Sequence, residues 1–270
     1  MVRISAIIIT FNEEKNILRA LESVRPVADE IVVVDSMSSD RTVSICRDFG
    51  CRVFQREFDG YGAQKQFAVD RASNDWVLWI DADEVMTVPL QQEIRSLFSG
   101  ENGEGTKAMP FAGYLIPRSL HFLGKILRHG GAGGEMLLRL FDRTKGSFTT
   151  APVHEEVIVS GSTGILKGEL VHYSYRDISH HVEKLNTYTS LAAEEYVKKH
   201  KRFPKIWPAL KFPTAFFTFY ILKGGILDGY PGFMWSFMAA VYGALKVAKT
   251  IERSRPAFPS ATAENLTGQP

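Results

Sequence analysis

Cysteine is scarce in this sequence, with Cys46 and Cys51 as the two examples among 270 residues. Neither has a second cysteine pair or a nearby His at the spacing of a zinc site. We therefore expect no metal site and no disulfide at this pair. Ordinary thiols of this kind are typical of a reducing compartment.

An excess of one charge is also lacking, because 32 Lys and Arg residues face 30 Asp and Glu residues, a net charge of +2. The whole-chain charge therefore gives no reason to expect nucleic acid as a partner. The first residues lack the charged segment, apolar stretch and small-residue cleavage site of an export signal. We expect a cytoplasmic protein.

Apolar runs long enough to cross a bilayer, about 20 residues, are absent as well. The apolar and aromatic region 206–251 is interrupted by Lys223 and Asp228, and it follows a basic run at 198–202. Basic residues beside apolar helices suit anionic lipid headgroups. We expect interfacial helices that attach the protein peripherally to the inner face of the cell membrane, and a buried helical core is the alternative.

Short apolar runs alternate with amphipathic segments over about the first 100 residues, which is typical of βα units and a mostly parallel sheet. The predicted strands are Ile4–Thr10, Glu30–Asp35, Arg52–Gln55 and Trp76–Asp81. The predicted helices between them are Glu13–Ser23, Asp40–Phe49 and Gln64–Ala72. Shorter runs predict a mixed or antiparallel extension of the sheet, at Tyr114–Pro117, Met136–Phe141, Val153–Val159 and Ile165–Tyr173.

The rest of the chain predicts a division into three parts. We expect a catalytic α/β domain at 1–175, a membrane-associated helical region at 176–255 that starts with a helix over Ile178–Lys199, and a disordered tail at 256–270. The glycine-rich segment Gly130–Gly134 lacks the Lys-Ser/Thr pair of a phosphate loop. It is better interpreted as a mobile connection or a lid hinge.

The strongest local signal is Asp81-Ala82-Asp83, which ends the fourth predicted strand and is followed by Glu84. Two carboxylates one residue apart can hold a hard divalent cation and leave positions for diphosphate oxygens. A turn in which the Asp residues act as caps is the alternative explanation.

Polar clusters also follow the first and second strands, at 10–14 and 35–40. Open α/β sheets bind ligands at the carboxyl ends of their strands, where N–H groups at a helix start can hold a nucleotide. Asp35 could accept a hydrogen bond from the imide of uracil. Helix capping explains Asn12 and Glu13 equally well, but it does not explain why all three clusters end successive strands.

Further motifs extend along most of the chain. They are IIITFNEE at 7–14, VVDSMSSDRT at 33–42, GAQKQFA at 62–68, WIDADE at 79–84, VHEE at 153–156, HYSY at 172–175 and YILKGGILDG at 220–229. With these motifs the chain resembles family 2 glycosyltransferases, within them the bacterial group that includes lipopolysaccharide core glucosyltransferases. The resemblance implies an α/β GT-A (Rossmann-like) mixed sheet flanked by helices. The apolar region 206–251 with its basic run adds the expectation of a C-terminal helical membrane-interfacial appendage.

The resemblance also implies roles for individual residues. The residues implied for the nucleotide-sugar site are Thr10, Asn12, Glu13, Asp35 and Lys65. Asp81 and Asp83 become the ligands of Mg²⁺ or Mn²⁺, with Asp83 the more direct one. The family often has Asp-Gly-Ser where this chain has Ser36-Met37-Ser38, so no contact from a second Asp is expected there.

An inverting transfer needs a carboxylate that takes the proton of the acceptor hydroxyl. Glu155 matches the base region of the family, and its neighbour Glu156 is the rival. On a strand these two side chains point to opposite faces, so one of them can enter the pocket. Arg139 or Lys65 could help to offset the charge of the leaving diphosphate. His172 could contact metal or diphosphate, although a structural role is the alternative.

The implied function is an inverting transfer of a sugar from a nucleotide-diphosphate donor, a UDP-sugar, to a saccharide or glycolipid acceptor such as lipopolysaccharide core. A sugar nucleotidyltransferase would carry a glycine-rich loop after the first strand, where this chain has Thr10-Phe11-Asn12-Glu13. A polyprenyl-phosphate glycosyltransferase and a non-catalytic nucleotide-sugar binding protein are the remaining alternatives. The paired carboxylates and the candidate base favour catalysis over the latter.

Overall fold

The computed structural model describes residues 2–99, 110–149 and 156–254, with Ser99 described by its backbone alone. Contacts within the chain define two compact units. The first unit comprises Met1–Arg128 and Ala132–Ser174, and the second comprises His129–Gly131 and Tyr175–Pro270.

Four parallel strands form one half of the sheet in the first unit. They are β1 (Ile4–Thr10), β2 (Glu30–Asp35), β3 (Arg52–Gln55) and β4 (Trp76–Asp81), in the order β3-β2-β1-β4. Their observed bounds confirm the four predicted strands. The central strands are almost entirely buried, as expected for a parallel sheet that is covered on both faces.

Three helices connect these strands, at α1 (Ile17–Val24), α2 (Thr42–Asp48) and α3 (Tyr61–Arg71). The prediction for α1 began four residues too early, because Asn12 has a positive φ of 54° and the chain forms a turn in which Asn16 N–H donates to the Glu13 carbonyl. Helix α3 begins earlier than predicted, since Gly60 supplies the break with a φ of 124°.

Eight further strands are described. They are β5 (Glu84–Met86), β6 (Gly113–Phe122), β7 (Lys125–Ile126), β8 (Glu135–Asp142), β9 (Gly146–Phe148), β10 (Val157–Val159), β11 (Thr163–Ile165) and β12 (Leu170–His172). All of them except β9 and β10 extend the sheet in a mixed arrangement. The strands β9 and β10 pair with each other in a separate two-stranded sheet, so the described part of the predicted strand Val153–Val159 does not extend the main sheet. The sheet continues from β4 in the order β8-β6-β12-β5, with antiparallel β4–β8, β6–β8 and β5–β12 pairs. The mixed sheet confirms the predicted fold class.

Two features of this half were not predicted correctly. Helix α4 (Val88–Ser99) and β5 were missed. The predicted strand Ile165–Tyr173 is wrong as one strand, because the Lys167 and Gly168 N–H groups donate to the Glu93 carboxylate of α4 and turn the chain between β11 and β12. A Cβ on Gly168 would lie 2.4 Å from Leu90 Cα, so this close approach requires glycine.

The core lies on both faces of the sheet. On one face Ile8 and Leu78 pack with Leu21 of α1, and on the other Ile7 and Trp79 pack with residues of α3. Strand alternation divides the side chains of β1 and β4 between these two clusters. This packing fixes the sheet from both sides and holds the ends of its strands in place.

Both cysteines are free thiols, and burial raises the pKa of Cys46 to about 12.

The second unit is helical. Its elements are α5 (Ile178–Lys198), α6 (Trp207–Phe217), a π-helix (Thr218–Leu222), a 3₁₀ helix (Gly225–Asp228) and α7 (Gly229–Arg253). The Asp177 carboxylate caps α5 by accepting from His180 N–H at 2.7 Å. His181 is buried and stacks on Tyr175 at 3.9 Å, and burial lowers the pKa of His181 to about 4.

The helices of the second unit are short or carry charges. Among the residues that the structure describes, no helix combines the length and hydropathy needed to cross a bilayer. The segment Gly130–Gly134 has left-handed backbone at Gly130, Gly131 and Gly134, and its role as a hinge stays a prediction.

Candidate active site

The carboxyl ends of β1, β2 and β4 lie side by side. Thr10 of β1 is the register partner of Asp35 in β2, and Ile9 of β1 is the register partner of Asp81 in β4. The polar clusters that follow these strands therefore leave the sheet at one edge, where α/β sheets bind ligands.

The loops after β1 and β2 are tied together by hydrogen bonds. Asn12 N–H donates to Ser38 Oγ at 2.8 Å, and the Asn12 side-chain oxygen accepts from Ser39 N–H at 2.9 Å. Glu13 N–H donates to Thr42 Oγ1 at 2.8 Å. Asn12 therefore has a structural role, because its hydrogen bonds hold the two loops in contact.

Asp35 is completely buried at the end of β2. Its carboxylate accepts Ser38 N–H at 2.8 Å, the Ser38 hydroxyl, and the Gln55 amide at 3.2 Å. A carboxylate has about four acceptor positions, so these bonds leave about one for a ligand. Asp35 therefore fixes the loop that follows β2, with about one acceptor position of its carboxylate unused.

Two buried polar atoms beside these loops have no hydrogen-bond partner among the described residues. They are Thr10 Oγ1 and Gln64 Oε1, and the Gln64 amide nitrogen donates to Ser36 Oγ at 2.9 Å. A buried polar atom without a partner costs about 1–3 kcal/mol. A polar ligand at this strand edge would remove that cost.

Asp81 lies within a group of buried cations at the end of β4. Lys65 Nζ of α3 is 3.7 Å from one Asp81 oxygen, and Arg139 Nη2 of β8 is 3.3 Å from the other. Both cations lie over the indole ring of Trp79, a favourable cation–π arrangement. Burial tends to raise the pKa of Asp81, but Lys65 and Arg139 outweigh it and hold this pKa well below its usual range.

Glu84, which had no predicted role, connects this group. Its buried carboxylate accepts Asp81 N–H at 2.9 Å and contacts Arg139 Nη2 at 2.6 Å and Arg118 Nη1 at 3.3 Å. Burial raises the pKa of Glu84, Arg139 opposes that effect and the charge of Asp81 adds to it. The signal in the sequence was an acidic residue that directly follows Asp81-Ala82-Asp83 and begins a strand.

Asp83 and His172, two of the predicted metal ligands, lie close together. His172 Nε2 is 3.1 Å from Asp83 Oδ2, and Tyr173 N–H donates to the Asp83 carbonyl at 2.8 Å. Strand pairing places His172 opposite Glu84. The pair is therefore positioned by β5 and β12.

The chemistry of these donors fits a divalent cation that is held together with a substrate. Among the described residues, no three Asp, Glu, His or Cys side chains are close enough to hold a metal ion by themselves. Mg²⁺ is usually bound by one or two carboxylates, with water and phosphate oxygens as its other ligands. Asp83 and Asp81 have the carboxylates that such a site would need from the protein, and His172 lies next to Asp83.

The predicted base Glu155 lies outside the described residues, and so does His154. Glu156 is described and exposed. Its N–H group donates to Thr149 Oγ1 at 3.1 Å, and its carbonyl accepts Thr149 N–H at 2.9 Å. The choice between Glu155 and Glu156 stays a prediction.

Comparison with known proteins defines the class of this chain. The family described as "Glycosyl transferase family 2" matches residues 5–97, a segment that contains the ends of β1, β2 and β4. An uncharacterized glycosyltransferase of Rickettsia typhi is 33% identical over 263 residues, which cover 94% of this chain and 88% of the relative. The chain belongs to glycosyltransferase family 2, and it is an enzyme that transfers a sugar.

A further relative indicates a group within the family. The lipopolysaccharide core biosynthesis glycosyltransferase LpsC of Rhizobium meliloti is 29% identical over 258 residues, 93% of this chain and 92% of LpsC.

Two solved structures are also similar to parts of the chain. S. aureus TarS in complex with UDP matches with a TM-score of 0.35 and 23% identity over 46% of this chain and 37% of TarS. Glucosyl-3-phosphoglycerate synthase of Mycobacterium tuberculosis, in complex with Mn²⁺, UDP and its product, matches with a TM-score of 0.33 and 24% identity over 44% of each chain.

Proposed function

We propose that this glycosyltransferase moves a sugar from a UDP-sugar to a saccharide or glycolipid acceptor such as lipopolysaccharide core, with inversion at the anomeric carbon. The observation that carries the proposal is the register that puts Thr10 beside Asp35 and Ile9 beside Asp81. One strand edge thus offers hydrogen-bonding groups for a nucleoside and a charged group for a diphosphate. Similarity to LpsC over most of both chains supports the acceptor class.

The nucleoside would lie over the loops that follow β1 and β2. Asp35 retains about one acceptor position, which suits the imide N–H of uracil. Thr10 Oγ1 and Gln64 Oε1 are polar atoms that lack a partner in the described structure. A hydroxyl can both donate and accept, so ribose or base atoms could satisfy these two groups.

The diphosphate would lie at the end of β4. Lys65 and Arg139 are almost completely buried, so their charges act on it chiefly through the local electric field, which is strong where water is excluded. Asp83, with Asp81 and His172, would hold Mg²⁺ or Mn²⁺. When bound, the cation offsets the charge that grows on the leaving nucleotide diphosphate.

The acceptor hydroxyl must lose a proton as its oxygen attacks the anomeric carbon. Inversion requires the base to act on the face opposite the leaving group, and Glu155 is the residue to which we assign this step. The proton passes to a Glu155 oxygen while the bond between the sugar and the diphosphate breaks.

A screen of UDP-, GDP- and dTDP-sugars with Mg²⁺ or Mn²⁺ tests the proposal, with nucleotide release as the readout. We expect turnover with a UDP-sugar, and product analysis should show the sugar on a lipopolysaccharide core saccharide. Sugar transfer to polyprenyl phosphate instead would overturn the acceptor class. Turnover with GDP-sugars alone would overturn the imide contact assigned to Asp35, since guanine has no imide N–H between two carbonyls.

The base assignment has a matched pair of variants. Glu155→Gln should still bind the donor but should fail in transfer, because an amide cannot take up the proton. Glu156→Gln should transfer at close to the unmodified rate. The reverse pattern would move the base to Glu156.

A further inference from the structure

The second unit contains a helix that is apolar on all sides. From Ile206 to Leu222 the sequence has one charged residue, Lys211, and no acidic residue. In a globular protein such a helix is normally buried, or it contacts a membrane. Helix α6 and the π-helix that continues it therefore need a partner for each of their faces.

One face of α6 packs against α7 through aromatic rings. The ring centroids of Phe212 and Phe237 are 5.6 Å apart, and those of Phe216 and Phe233 are also 5.6 Å apart. These spacings are typical of favourable aromatic pairs. The inner face is thereby covered within the unit.

The opposite face and the turn that follows it are exposed. We call this set the apolar surface, and its members are Ile206, Leu210, Phe217, Ile221, Leu222, Ile226, Leu227 and Tyr230. The first four recur at helical spacing along one side of the helix. Leu222 and Leu227 are 70% and 67% exposed, and water around such a set of side chains is unfavourable.

Polar groups on this side are satisfied within the helix. The Thr214 hydroxyl donates to the Leu210 carbonyl at 2.9 Å, and the Thr218 hydroxyl donates to the Thr214 carbonyl at 2.7 Å. Threonine side chains bonded in this way can enter an apolar medium at low cost. They therefore do not interrupt the apolar character of the face.

From Lys198 to Tyr230 every exposed charged side chain is basic. Lys211 and Lys223 are exposed, and so are Lys198, Arg202 and Lys205 in the preceding segment. Asp228 is the one acidic residue in 206–251, and it is buried, where it accepts His129 N–H at 2.8 Å. A second copy of this surface would bring like charges together, whereas anionic headgroups would complement them.

We propose that the apolar surface is a monotopic membrane-binding site, which lies at the boundary between headgroups and acyl chains of a bilayer that contains anionic lipid. Ile206, Leu210 and Leu227 enter the apolar layer, while the lysines remain at the phosphates. Binding of this kind needs no spanning helix. It is independent of the transfer chemistry, because it requires neither donor nor acceptor.

Flotation of the full chain with phosphatidylcholine vesicles, with and without phosphatidylglycerol, tests this assignment. We expect binding to the vesicles that contain phosphatidylglycerol. The double variant Leu222→Glu with Leu227→Glu should lower the partition coefficient at least about tenfold, because two aliphatic side chains no longer leave water. Nucleotide release from the donor should be unchanged, which separates this proposal from the proposed function.

A matched control replaces aliphatic residues of similar exposure in the first unit. Ile158 and Ile165 are 63% and 67% exposed, and the double variant Ile158→Glu with Ile165→Glu should bind vesicles normally. Lys211→Gln with Lys223→Gln should weaken binding to the anionic vesicles, with thermal unfolding unchanged.

Three results would overturn the assignment. One is an unmodified chain that fails to float with either vesicle. Another is an equal loss of binding in the leucine and isoleucine double variants. The last is a concentration-dependent dimer that the Leu222→Glu, Leu227→Glu variant abolishes, since the surface would then be an interface between two copies.

Discussion

The substitution Glu84→Gln replaces the buried carboxylate beside Asp81 by an amide, with almost no change in shape. In the native structure Arg139 is completely buried and contacts Glu84 at 2.6 Å and Asp81 at 3.3 Å. Removal of one partner from a buried ion pair costs about 3–5 kcal/mol. Arg139 keeps Asp81 and Arg118 keeps Glu135, and burial raises the pKa of Glu84 and so disfavours its charged form. We therefore expect a loss at the lower end of this range, about 3 kcal/mol.

Thermal unfolding followed by circular dichroism measures this loss. For a chain of this size each 1 kcal/mol shifts the melting temperature by about 2–4 °C, so Glu84→Gln should lower it by about 6–12 °C. Glu135→Gln is the matched control, because Glu135 contacts the same Arg118 but its side chain is 59% exposed. Exposed pairs contribute about 0–1 kcal/mol. Equal melting temperatures for the two variants would refute the assignment of Glu84 as the connecting charge.

Three further predictions concern other parts of the molecule. Burial holds the pKa of His181 near 4, against 6.5 when exposed, so the free energy of unfolding should fall by up to about 3 kcal/mol as the pH drops from about 6.5 to 4. Urea unfolding at several pH values should show that His181→Phe loses this dependence. The same pH dependence in the variant and the unmodified protein would contradict it. Gly232→Ala should destabilise by about 1–3 kcal/mol, because its Cβ would lie 2.0 Å from the Gly225 carbonyl oxygen. In the same helix, a Cβ on Gly243 would meet its first neighbour at 3.5 Å, so Gly243→Ala should gain up to about 1 kcal/mol from helix propensity. Equal stabilities of the two variants in chemical denaturation would argue against this packing. Lys65→Met should raise the KM for the donor about tenfold, since it removes a positive charge 3.7 Å from Asp81 whose field acts on the diphosphate where water is excluded. An unchanged KM in steady-state kinetics would exclude Lys65 from the donor site.

The parallel half of the sheet could be predicted from the sequence because its strands are nearly continuous apolar runs with clear ends. Ile4–Thr10 and Trp76–Asp81 are examples whose observed bounds match the prediction. The break between β11 and β12 could not be predicted, since it depends on bonds from Lys167 and Gly168 to Glu93, which is far away in sequence. Local pattern carries no information about such pairs.

The candidate site divides in the same way. Asp35, Asp81 and Asp83 could be predicted as candidate residues, because the ends of the strands and the spacing of the motifs can be read from the sequence. The role of Glu84 was missed, because it depends on contacts with Arg139 and Arg118. These two residues lie on other strands, and the sequence does not show that those strands come close to Glu84. Three-dimensional contacts, rather than spacing, identify it.

The most direct test of the central claim is a crystal structure of the protein with UDP and Mn²⁺. The account predicts uracil beside Asp35, the diphosphate at the end of β4, and Mn²⁺ bound by Asp83. A UDP molecule located away from the carboxyl ends of β1, β2 and β4, or a Mn²⁺ ion that Asp83 does not contact, would contradict it.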